Sequence, residues 1–434
     1  MTSVVLERAL LPTGIADHVR ITVVDGRFTE VAPAAEEAVT VRGLTLPGLA
    51  NCHSHAFHRA LRGRTQRERG TFWSWRDQMY AVAARLTPQT YFELALATYR
   101  EMVASGITSV GEFHYLHHQP DGTPYDEPNE MGHALIAAAE QAGLRMTLLD
   151  TCYLAAGIGR APEGVQRRFD DGDAHRWAER VDALDPGRHL AGAAIHSVRA
   201  VPRAEIATLA GFVQGTSGGP LHVHLSEQRA ENDECLAAYG LTPTQLLEAE
   251  GALGERTSVV HATHLTDQDV ATLGRTRTRA CFCPTTERDL GDGIGPSRRL
   301  HDAGAPLTLG SDSHAVIDLF EEMRAVELHE RLASEQRGHW SSTELLAAAT
   351  TTGHDSLGWA DTGSIAVGHR ADLVTLDVSS PRTAGTGRDE NTAVFAATGA
   401  DVTSVMVDGV VVVRQGDRHE IGRQLDAAIE KVWA

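Results

Sequence analysis

PLHVHLSE, at residues 220–227, is a short apolar run that predicts a buried β-strand ending in polar side chains. Seven other stretches share this form and alternate with longer helical patterns, which is typical of parallel βα units. Eight such units over roughly 270 residues match the ~250 of a TIM-type (β/α)8 barrel, so we expect this barrel and the α/β class. The other seven predicted strands are LTLPGLAN (44–51), ITSVGEF (107–113), LRMTLLDT (144–151), LAGAAIHS (190–197), TSVVHATH (257–264), RACFCPTT (279–286) and PLTLGSDS (306–313).

Helical patterns fill most of the intervals between these strands. YFELALATYREMVASG, from residue 91, and EMGHALIAAAEQAG, from residue 130, are two examples. We expect the second helix to stop at Gly143, because glycine adopts the left-handed backbone of a helix end without strain.

Both ends of the chain are rich in β-type residues. VRITVVDGRFTEVAP (19–33) and VTSVMVDGVVVVRQG (402–416) each place Asp-Gly between two apolar runs, which is typical of a hairpin turn. We therefore predict a small β-sandwich domain built from residues 1–46 and 365–434, attached to a catalytic barrel at 47–364.

Composition excludes several classes of protein. The 434 residues include 58 acidic and 39 basic side chains, a net charge of −19, and no basic tract, which argues against a nucleic-acid partner. No apolar stretch approaches the ~18–20 residues that span a bilayer, and the first residues do not resemble a signal peptide. The five cysteines never form a CxxC pair, so we expect a cytoplasmic protein without disulfides or a cysteine zinc site.

Polar residues follow the predicted strands at the edge where a barrel carries its active site. Alternate residues of a strand face one side, so His53 and His55 can both point into the barrel mouth. Taken singly, an HxH pair is more often incidental, and a strand-end Asp is often a helix cap. Together, imidazoles and a carboxylate at strands one, five, six and eight predict a metal site that suits Zn²⁺. The residues concerned are His53, His55, His222, His224, Glu227, His261, His264 and Asp312.

Three of these strand ends resemble the amidohydrolase superfamily. They are PGLANCHSHAFHRAL (47–61), HLSEQ (224–228) and GSDSH (310–314). The HxxE spacing within HLSEQ favours His224 over His222 as the ligand. The resemblance implies an amidohydrolase-type barrel whose metal ligands are His53, His55, His224 and Asp312.

The same resemblance assigns the acid and base groups, which are Glu227, His261 and Asp312. A metal lowers the pKa of its water so that hydroxide is available near neutral pH. Asp312 can accept that water's proton, Glu227 can carry a proton to a leaving nitrogen, and His261 can hold the nucleophile or stabilise the tetrahedral centre. Attack on an sp² carbon bearing nitrogen, followed by loss of ammonia, is hydrolytic deamination.

Lysine is nearly absent, with Lys431 as the one example in the sequence. Many superfamily members bridge two metals through a carboxylated lysine at strand four, which this sequence lacks. We therefore predict one divalent metal per chain, Zn²⁺ first and Fe²⁺ as the alternative, as in the deaminase branch. His114, His117 and His118 follow strand two, and we interpret them as pocket wall rather than as a second metal site, because the bridging ligand would be missing.

Five further stretches, several of them in loops, resemble the formimidoylglutamate deiminase family. That resemblance implies conversion of N-formimino-L-glutamate and water to N-formyl-L-glutamate and ammonia, a step of histidine degradation. The stretches are FWSWRDQMY (72–80), EFHYLHH (112–118), IHSVRAV (195–201), HATHL (261–265) and CPTTERDLGDGI (283–294).

Such a substrate carries two carboxylates, each of which a guanidinium group can bind through both oxygens. The resemblance implies that Arg76, Tyr115, His196 and Arg199 contact the glutamate part. His58 stands where the family is expected to have Gln, and we include it among the substrate-binding residues. Without the resemblance, each Arg would be assigned to a surface ion pair and Tyr115 to packing.

Two alternatives stay open. Another mononuclear deaminase of the superfamily, acting on a purine such as guanine or on a thio-purine nucleoside, would need stacking aromatics and amides rather than two Arg. A non-catalytic relative that uses the barrel as a scaffold would have lost metal ligands that this chain retains. By resemblance we also expect a homodimer with a small anionic substrate and no membrane partner.

Overall fold

The structure is a computed structural model that describes residues 1–34, 38–66, 70–217 and 219–434. Seven strands near the two termini and eight strands between them make two separate sheets. The strands are β1 Thr2–Leu11, β2 Gly14–Val24, β3 Arg27–Pro33, β4 Val41–Pro47, β5 Leu49–Ser54, β6 Ile107–His114, β7 Arg145–Cys152, β8 Leu190–Ile195, β9 Leu221–Leu225, β10 Thr257–His261, β11 Arg279–Phe282, β12 Leu307–Leu309, β13 Leu373–Leu376, β14 Val402–Val407 and β15 Val410–Arg414.

Strands β5 to β12 run parallel and lie in chain order around a nearly closed barrel. A backbone bridge between Ser54 and Asp312 joins the end of the first barrel strand to the segment after the last one. The predicted (β/α)8 barrel is confirmed. The helices are α1 Phe72–Arg85, α2 Pro88–Ala104, α3 Glu130–Ala142, α4 Ala174–Asp182, α5 Arg203–Phe212, α6 Arg229–Tyr239, α7 Pro243–Ala249, α8 Asp267–Arg275, α9 Pro284–Leu290, α10 Ser297–Ala303, α11 Leu319–Ser334, α12 Ser342–Ala349, α13 Thr351–Ser356, α14 Glu390–Phe395 and α15 Arg418–Trp433.

The helix ends follow local sequence signals. Helix α2 starts with Pro88 directly after Thr87, whose hydroxyl accepts the backbone N–H of Thr90 at 3.3 Å. Helix α3 ends before Gly143, whose φ of 73° lies in the left-handed region, as predicted. Over the described residues, we find no helix with the length and apolarity that a membrane crossing requires.

The two Asp-Gly dipeptides singled out near the chain ends form the predicted hairpin turns. Asp25 and Gly26, between β2 and β3, have φ values of 50° and 76°. Asp408 and Gly409, between β14 and β15, have φ values of 47° and 77°. Positive φ at both central residues defines the type I′ turn, whose twist matches that of the flanking strands.

The terminal strands form one sheet in the order β15-β14-β13-β4-β1-β2-β3, so the prediction of a β-domain built from both ends is confirmed. The sheet joins the two ends of the chain where β13 pairs antiparallel with β4. The β2–β3 hairpin at one edge of the sheet also contacts residues 368–371, which precede β13. Backbone hydrogen bonds make this contact, for example from the Phe28 N–H to the His369 carbonyl at 3.0 Å. The division at residues 46 and 365 stays a prediction.

The first barrel strand is displaced from its predicted position at residues 44–51. This stretch is split, with β4 in the terminal sheet and β5 in the barrel. Gly48 separates them because a Cβ there would lie 2.3 Å from the Thr108 hydroxyl oxygen, so only glycine fits this crossing. One apolar run therefore supplies both sheets.

Several barrel strands end earlier than predicted because the backbone turns sharply at the barrel mouth. Five residues there have positive φ although they are not glycine: Ser226 (50°), His261 (70°), Ala262 (47°), Asp312 (39°) and His314 (58°). Such conformations are uncommon for these residue types and concentrate at functional sites. The turns carry polar side chains out of the strand ladder and into the space above the barrel.

Candidate active site

The four predicted metal ligands converge at the carboxyl ends of the barrel strands. His53 lies on β5 and His55 directly follows that strand, His224 lies on β9, and Asp312 follows β12. All four are buried, and one ligand atom from each lies within 4.8 Å of the other three. Asp312 Oδ1 is 3.3 Å from Nε2 of His53 and equally far from Nε2 of His55. The Nε2 atoms of His53 and His224 are 3.0 Å apart.

Backbone carbonyls set the tautomers of two of these imidazoles. Nδ1–H of His55 donates to the Phe113 carbonyl, and Nδ1–H of His224 donates to the His196 carbonyl, each at 2.9 Å. A carbonyl only accepts, so Nε2 of each ring presents a lone pair to the centre of the group. Burial lowers the pKa of all three ligand histidines below the ordinary value, which keeps the rings neutral. Three neutral imidazoles and a carboxylate fit one divalent metal ion.

The predicted acid and base groups stand beside this cluster. His261, at the end of β10, places Nε2 3.8 Å from Asp312 Oδ2 and 3.9 Å from Glu227 Oε1. Burial raises the pKa of Glu227 above the ordinary value, although the positive charges of His261 and Arg199 oppose this rise. A carboxyl group with a raised pKa binds a proton more readily than an ordinary one, which suits a proton carrier.

Glu287 orients His261, a role that the sequence did not assign. Its Oε1 lies 3.4 Å from His261 Nδ1 and accepts the backbone N–H of Cys283 at 2.9 Å. Because Nδ1 faces this carboxylate, Nε2 is directed at Glu227 and Asp312. Glu287 belongs to the quoted stretch CPTTERDLGDGI, but nothing in that stretch indicates which of its acidic residues faces the site.

A chain of buried hydrogen bonds closes the barrel behind the ligands. Asn51 Nδ2–H donates to Ser311 Oγ at 2.8 Å, and Ser311 Oγ–H donates to His314 Nδ1 at 3.0 Å. Nε2–H of His314 then donates to Ser54 Oγ at 3.1 Å, and Ser54 Oγ–H donates to Glu112 at 2.6 Å. Every donor in this order has one acceptor, so the chain is internally consistent.

This chain joins the end of β5 to the segment after β12, and these two parts of the chain carry three of the four candidate ligands. Ser54 lies between His53 and His55, and Ser311 precedes Asp312. The carboxylate at its end, Glu112 on β6, also accepts the Ala56 backbone N–H at 2.6 Å. Burial raises the pKa of Glu112 to about 8. The network therefore fixes the register of β5 against the segment after β12.

Ser54→Ala is expected to lower the unfolding free energy by about 1–3 kcal/mol, because buried Glu112 and His314 each lose a partner. The same variant should release its metal faster, since the position lies between two ligands. Denaturant unfolding and metal loss on dialysis measure the two effects. Ser3→Ala, at an exposed position of β1, serves as the matched control. Wild-type stability and metal retention in Ser54→Ala would contradict this role.

A pocket opens above the candidate ligands and brings the predicted substrate-binding residues together. His58 Nε2 lies 2.9 Å from the Tyr115 hydroxyl, and both side chains are buried. Burial lowers the pKa of His58 and of His196 to about 3, so both rings are neutral at physiological pH. His58 therefore adds a neutral polar group to the pocket, as Gln would.

Both predicted arginines reach this pocket. Arg76, on α1, stacks over Trp73 with its guanidinium carbon 4.4 Å from the ring centroid. No carboxylate within the described residues lies at salt-bridge distance from Arg76. Arg199 places Nε 3.4 Å from the fully buried Glu231, and its guanidinium lines the pocket. Burial alone would lower the pKa of Arg199, but Glu231 and Glu227 raise it above the ordinary value.

The histidines after β6 do not line the pocket, which corrects the interpretation of them as pocket wall. His117 donates from Nε2 to the Thr151 carbonyl at 2.9 Å, and His118 Nε2 lies 3.1 Å from Asp171. His114 and His117 approach Asp150, a geometry that a metal could in principle use. Arg180 already donates to both oxygens of Asp150 at 2.8 and 2.9 Å, so this cluster is a structural ion-pair network.

The sequence did not indicate the aromatic walls of the pocket. Trp75, Tyr80, Tyr153 and Phe169 line it together with Tyr115. Tyr153 and Phe169 belong to the segment after β7, where no motif was recognised. Trp75 and Tyr80 lie in the quoted stretch FWSWRDQMY, but only its Arg was assigned.

The chain is similar to known proteins both in sequence and in fold. A model of the amidohydrolase family matches residues 44–412. Formimidoylglutamate deiminase from Pseudomonas aeruginosa is 39% identical over 96% of both chains. A 5-methylthioadenosine/S-adenosylhomocysteine deaminase from Shouchella clausii is 28% identical and covers 92% of this chain and 90% of its own. The crystal structure of an amidohydrolase from Brucella melitensis matches with a TM-score of 0.90 and 32% identity, covering 100% of both chains.

The sequence match and the structural match both extend over the part of the chain that carries the candidate site. The family model spans the ligand strands from β5 to the segment after β12, and the 39% identical relative covers almost the whole chain. This protein belongs to the amidohydrolase family.

Proposed function

We propose that this protein hydrolyses N-formimino-L-glutamate to N-formyl-L-glutamate and ammonia, a reaction of histidine degradation. The observation that carries the proposal is the pair of guanidinium groups, Arg76 and Arg199, on the same pocket as the ligand cluster. A dicarboxylate substrate supplies the two anions that such a pair binds. The similarity to the Pseudomonas aeruginosa deiminase supports the same substrate.

The ligand cluster would hold one divalent metal per chain, and we propose Zn²⁺, because neutral imidazoles and a carboxylate are its usual ligands. Bound there, the metal would lower the pKa of water so that hydroxide is available near neutral pH. Among the residues described, the one lysine is Lys431 on α15, remote from strand four. That position supports a site with one metal.

The side chains around the cluster divide the proton transfers. Asp312 accepts the proton of the attacking water. Glu227 carries that proton to the amidine nitrogen, and the hydroxyl proton of the tetrahedral centre follows it when the carbonyl forms, so that the nitrogen departs as ammonia. His261, oriented by Glu287, stabilises the charge that develops on the oxygen of the tetrahedral centre. Arg76 and Arg199 hold the glutamate carboxylates and thereby position the formimino carbon.

A purine deaminase is the second candidate. The aromatic side chains of the pocket would stack on a purine ring, and the Shouchella clausii relative is a nucleoside deaminase by name. Two cationic side chains on the same pocket favour an anionic substrate instead. The higher identity to the deiminase, 39% against 28%, favours the same choice.

A coupled ammonia assay on the metal-loaded protein tests the choice. The panel should contain N-formimino-L-glutamate, a guanidino analogue, guanine and 5-methylthioadenosine. We expect release of ammonia from N-formimino-L-glutamate at a kcat/KM far above that for any purine. A purine as the best substrate would overturn the proposal in favour of the second candidate.

Arg76→Met and Arg199→Met are each expected to lower kcat/KM for N-formimino-L-glutamate by roughly 10–150-fold, because each removes a charge-assisted hydrogen bond to a carboxylate. Neither variant should lose metal, since neither Arg is a ligand. Steady-state kinetics on this substrate and on formimino-glycine, which lacks the side-chain carboxylate, measure the effect. Arg188→Met, at an exposed position before β8, is the matched control.

Comparison with formimino-glycine distinguishes an Arg that binds the side-chain carboxylate from an Arg that has only a structural role. If an Arg binds the missing carboxylate, its loss and the loss of that carboxylate are not additive. Additive losses for both Arg variants, or equal activity of the wild type on formimino-glycine, would contradict the contacts.

The family relationship extends to two properties of the whole protein. We propose a homodimer in the cytoplasm, as the resemblance to formimidoylglutamate deiminases implies. Analytical ultracentrifugation at micromolar concentration should give twice the 46.7 kDa mass of the chain. A monomer under these conditions would contradict the dimer without affecting the proposed reaction.

A further inference from the structure

Two tyrosines of the pocket are joined by one buried amide. Gln166 lies in the short helical turn Gly164–Arg168 between β7 and α4, and its side chain is buried. Its Nε2 donates to the Tyr80 hydroxyl at 3.0 Å and to the Tyr153 hydroxyl at 2.9 Å. The amide therefore ties helix α1, which carries Tyr80, to the segment after β7.

The orientation of this amide is determined by its third partner. Gln166 Oε1 accepts the backbone N–H of Glu163 at 3.2 Å. A backbone N–H only donates, so Oε1 must face it and Nε2 must face the tyrosines. Both phenol oxygens accept from the amide, which turns their own O–H hydrogens away from Gln166. If one hydroxyl donates to the other, the second still has its hydrogen free, so the pair always presents at least one donor.

These donors lie beside the two arginines. The Tyr80 ring centroid is 5.5 Å from the Arg76 guanidinium carbon, and the Tyr153 ring packs 4.7 Å from the His196 ring. Burial has the largest effect on the pKa of Tyr153 and raises it above its ordinary value. The neighbouring Tyr80 raises this pKa further, whereas Arg199 lowers it. Its hydroxyl thus keeps its hydrogen at physiological pH. Neutral donors and fixed cations together match a ligand that only accepts hydrogen bonds.

We propose that Tyr80 and Tyr153 are specificity-determining residues that donate hydrogen bonds to a substrate carboxylate, and that Gln166 is the positioning residue that directs their hydroxyls. This inference rests on the proposed function, because it takes the bound anion to be a carboxylate of N-formimino-L-glutamate. A carboxylate has no hydrogen to donate, so it requires the orientation that the Gln166 amide imposes.

Gln166→Glu tests the inference without changing the shape of the side chain. A carboxylate at position 166 accepts hydrogen bonds, so it draws the tyrosine O–H hydrogens away from the substrate while keeping the tie between the two segments. We expect kcat/KM for N-formimino-L-glutamate to fall roughly 10- to 100-fold, mainly through KM. The loss for formimino-glycine should be smaller by at least several-fold if the side-chain carboxylate is the one bound. Metal content and the unfolding midpoint should match the wild type.

Tyr80→Phe and Tyr153→Phe provide an independent test that keeps the ring packing. At least one of them should reproduce the KM-dominated loss, and combining it with Gln166→Glu should give less than the product of the two losses. Gln214→Glu, which makes the same charge change at an exposed position near the opposite end of the barrel, is the control and should stay within twofold of wild type.

The outcomes separate this inference from the proposed function. If Gln166→Glu and both Phe variants turn over N-formimino-L-glutamate with the kcat and KM of the wild type, the inference is wrong and the proposed function still stands. A fall in kcat at unchanged KM, equal for both substrates, also overturns the inference, because a structural role would act in that way. If Gln166→Glu does not fold, the Phe variants decide by the same criteria. No turnover by the wild type overturns the proposed function and this inference with it.

Discussion

Glu227→Gln is expected to abolish turnover while leaving the metal bound. Glu227 carries a proton in the proposed reaction, and an amide of the same shape cannot carry one. A general acid–base group of this kind typically contributes ~10²–10⁴-fold, so kcat should fall by that factor. The side chain is outside the ligand cluster, 3.9 Å from His261 Nε2, which is why metal content should not change.

Single-turnover ammonia release and elemental analysis on the same preparation measure both quantities. Glu234→Gln makes the same chemical change at an exposed position of α6 and should behave as the wild type. A Glu227→Gln protein that keeps more than about a tenth of the wild-type rate would not fit proton transfer by this residue.

Asp312→Ala is expected to remove activity and to reduce the metal content below one per chain. Asp312 Oδ1 lies 3.3 Å from Nε2 of His53 and of His55, and Asp312 also accepts the proton of water in the proposed reaction. Loss of one ligand and the base should act together, so the residual rate should be below that of Glu227→Gln. Elemental analysis after dialysis, followed by the ammonia assay with added Zn²⁺, measures the effect.

The control and the metal count complete this test. Asp233→Ala, at an exposed position of α6, should keep one metal and full activity. Treatment of the wild type with a chelator should remove activity, and Zn²⁺ should restore it. Two tightly held metals per wild-type chain, or an active Asp312→Ala protein, would contradict the mononuclear site.

Local patterns in the sequence were enough to predict the architecture, and together with the family resemblance they gave the candidate ligands. The alternation of short apolar runs with helical segments predicted the barrel, because each βα unit carries its own periodicity. The Asp-Gly dipeptides near the chain ends predicted both hairpins, because two residues determine such a turn. The HxH pair and the HxxE spacing each act within one strand end, where the pleat of a strand fixes which residues share a face. The absence of lysine before residue 431 can be read directly from the sequence.

Contacts between distant segments could be decided only by the tertiary structure. The run at residues 44–51 is mostly apolar, and only the packing of Gly48 against Thr108 divides it between two sheets. The histidines after β6 resemble site residues in the sequence, yet Asp150 and Arg180 hold their surroundings in an ion-pair network behind the pocket. The residue types alone do not show whether a histidine lines the pocket or belongs to a structural network.

The residues that orient the side chains of the site also meet partners that are distant in the sequence, so the sequence did not predict their contacts. Glu287 faces His261 from α9, Glu112 reaches Ser54 from the neighbouring strand, and Gln166 meets Tyr80 across 86 positions of chain. A sequence states which side chains can donate or accept, and over short distances it states which of them share a face. Which donor meets which acceptor depends on how strands, helices and loops stack, because a hydrogen bond requires its two atoms to lie within about 3 Å. The sequence predicted the candidate ligands, and the tertiary structure decided what holds them and what lines the pocket above them.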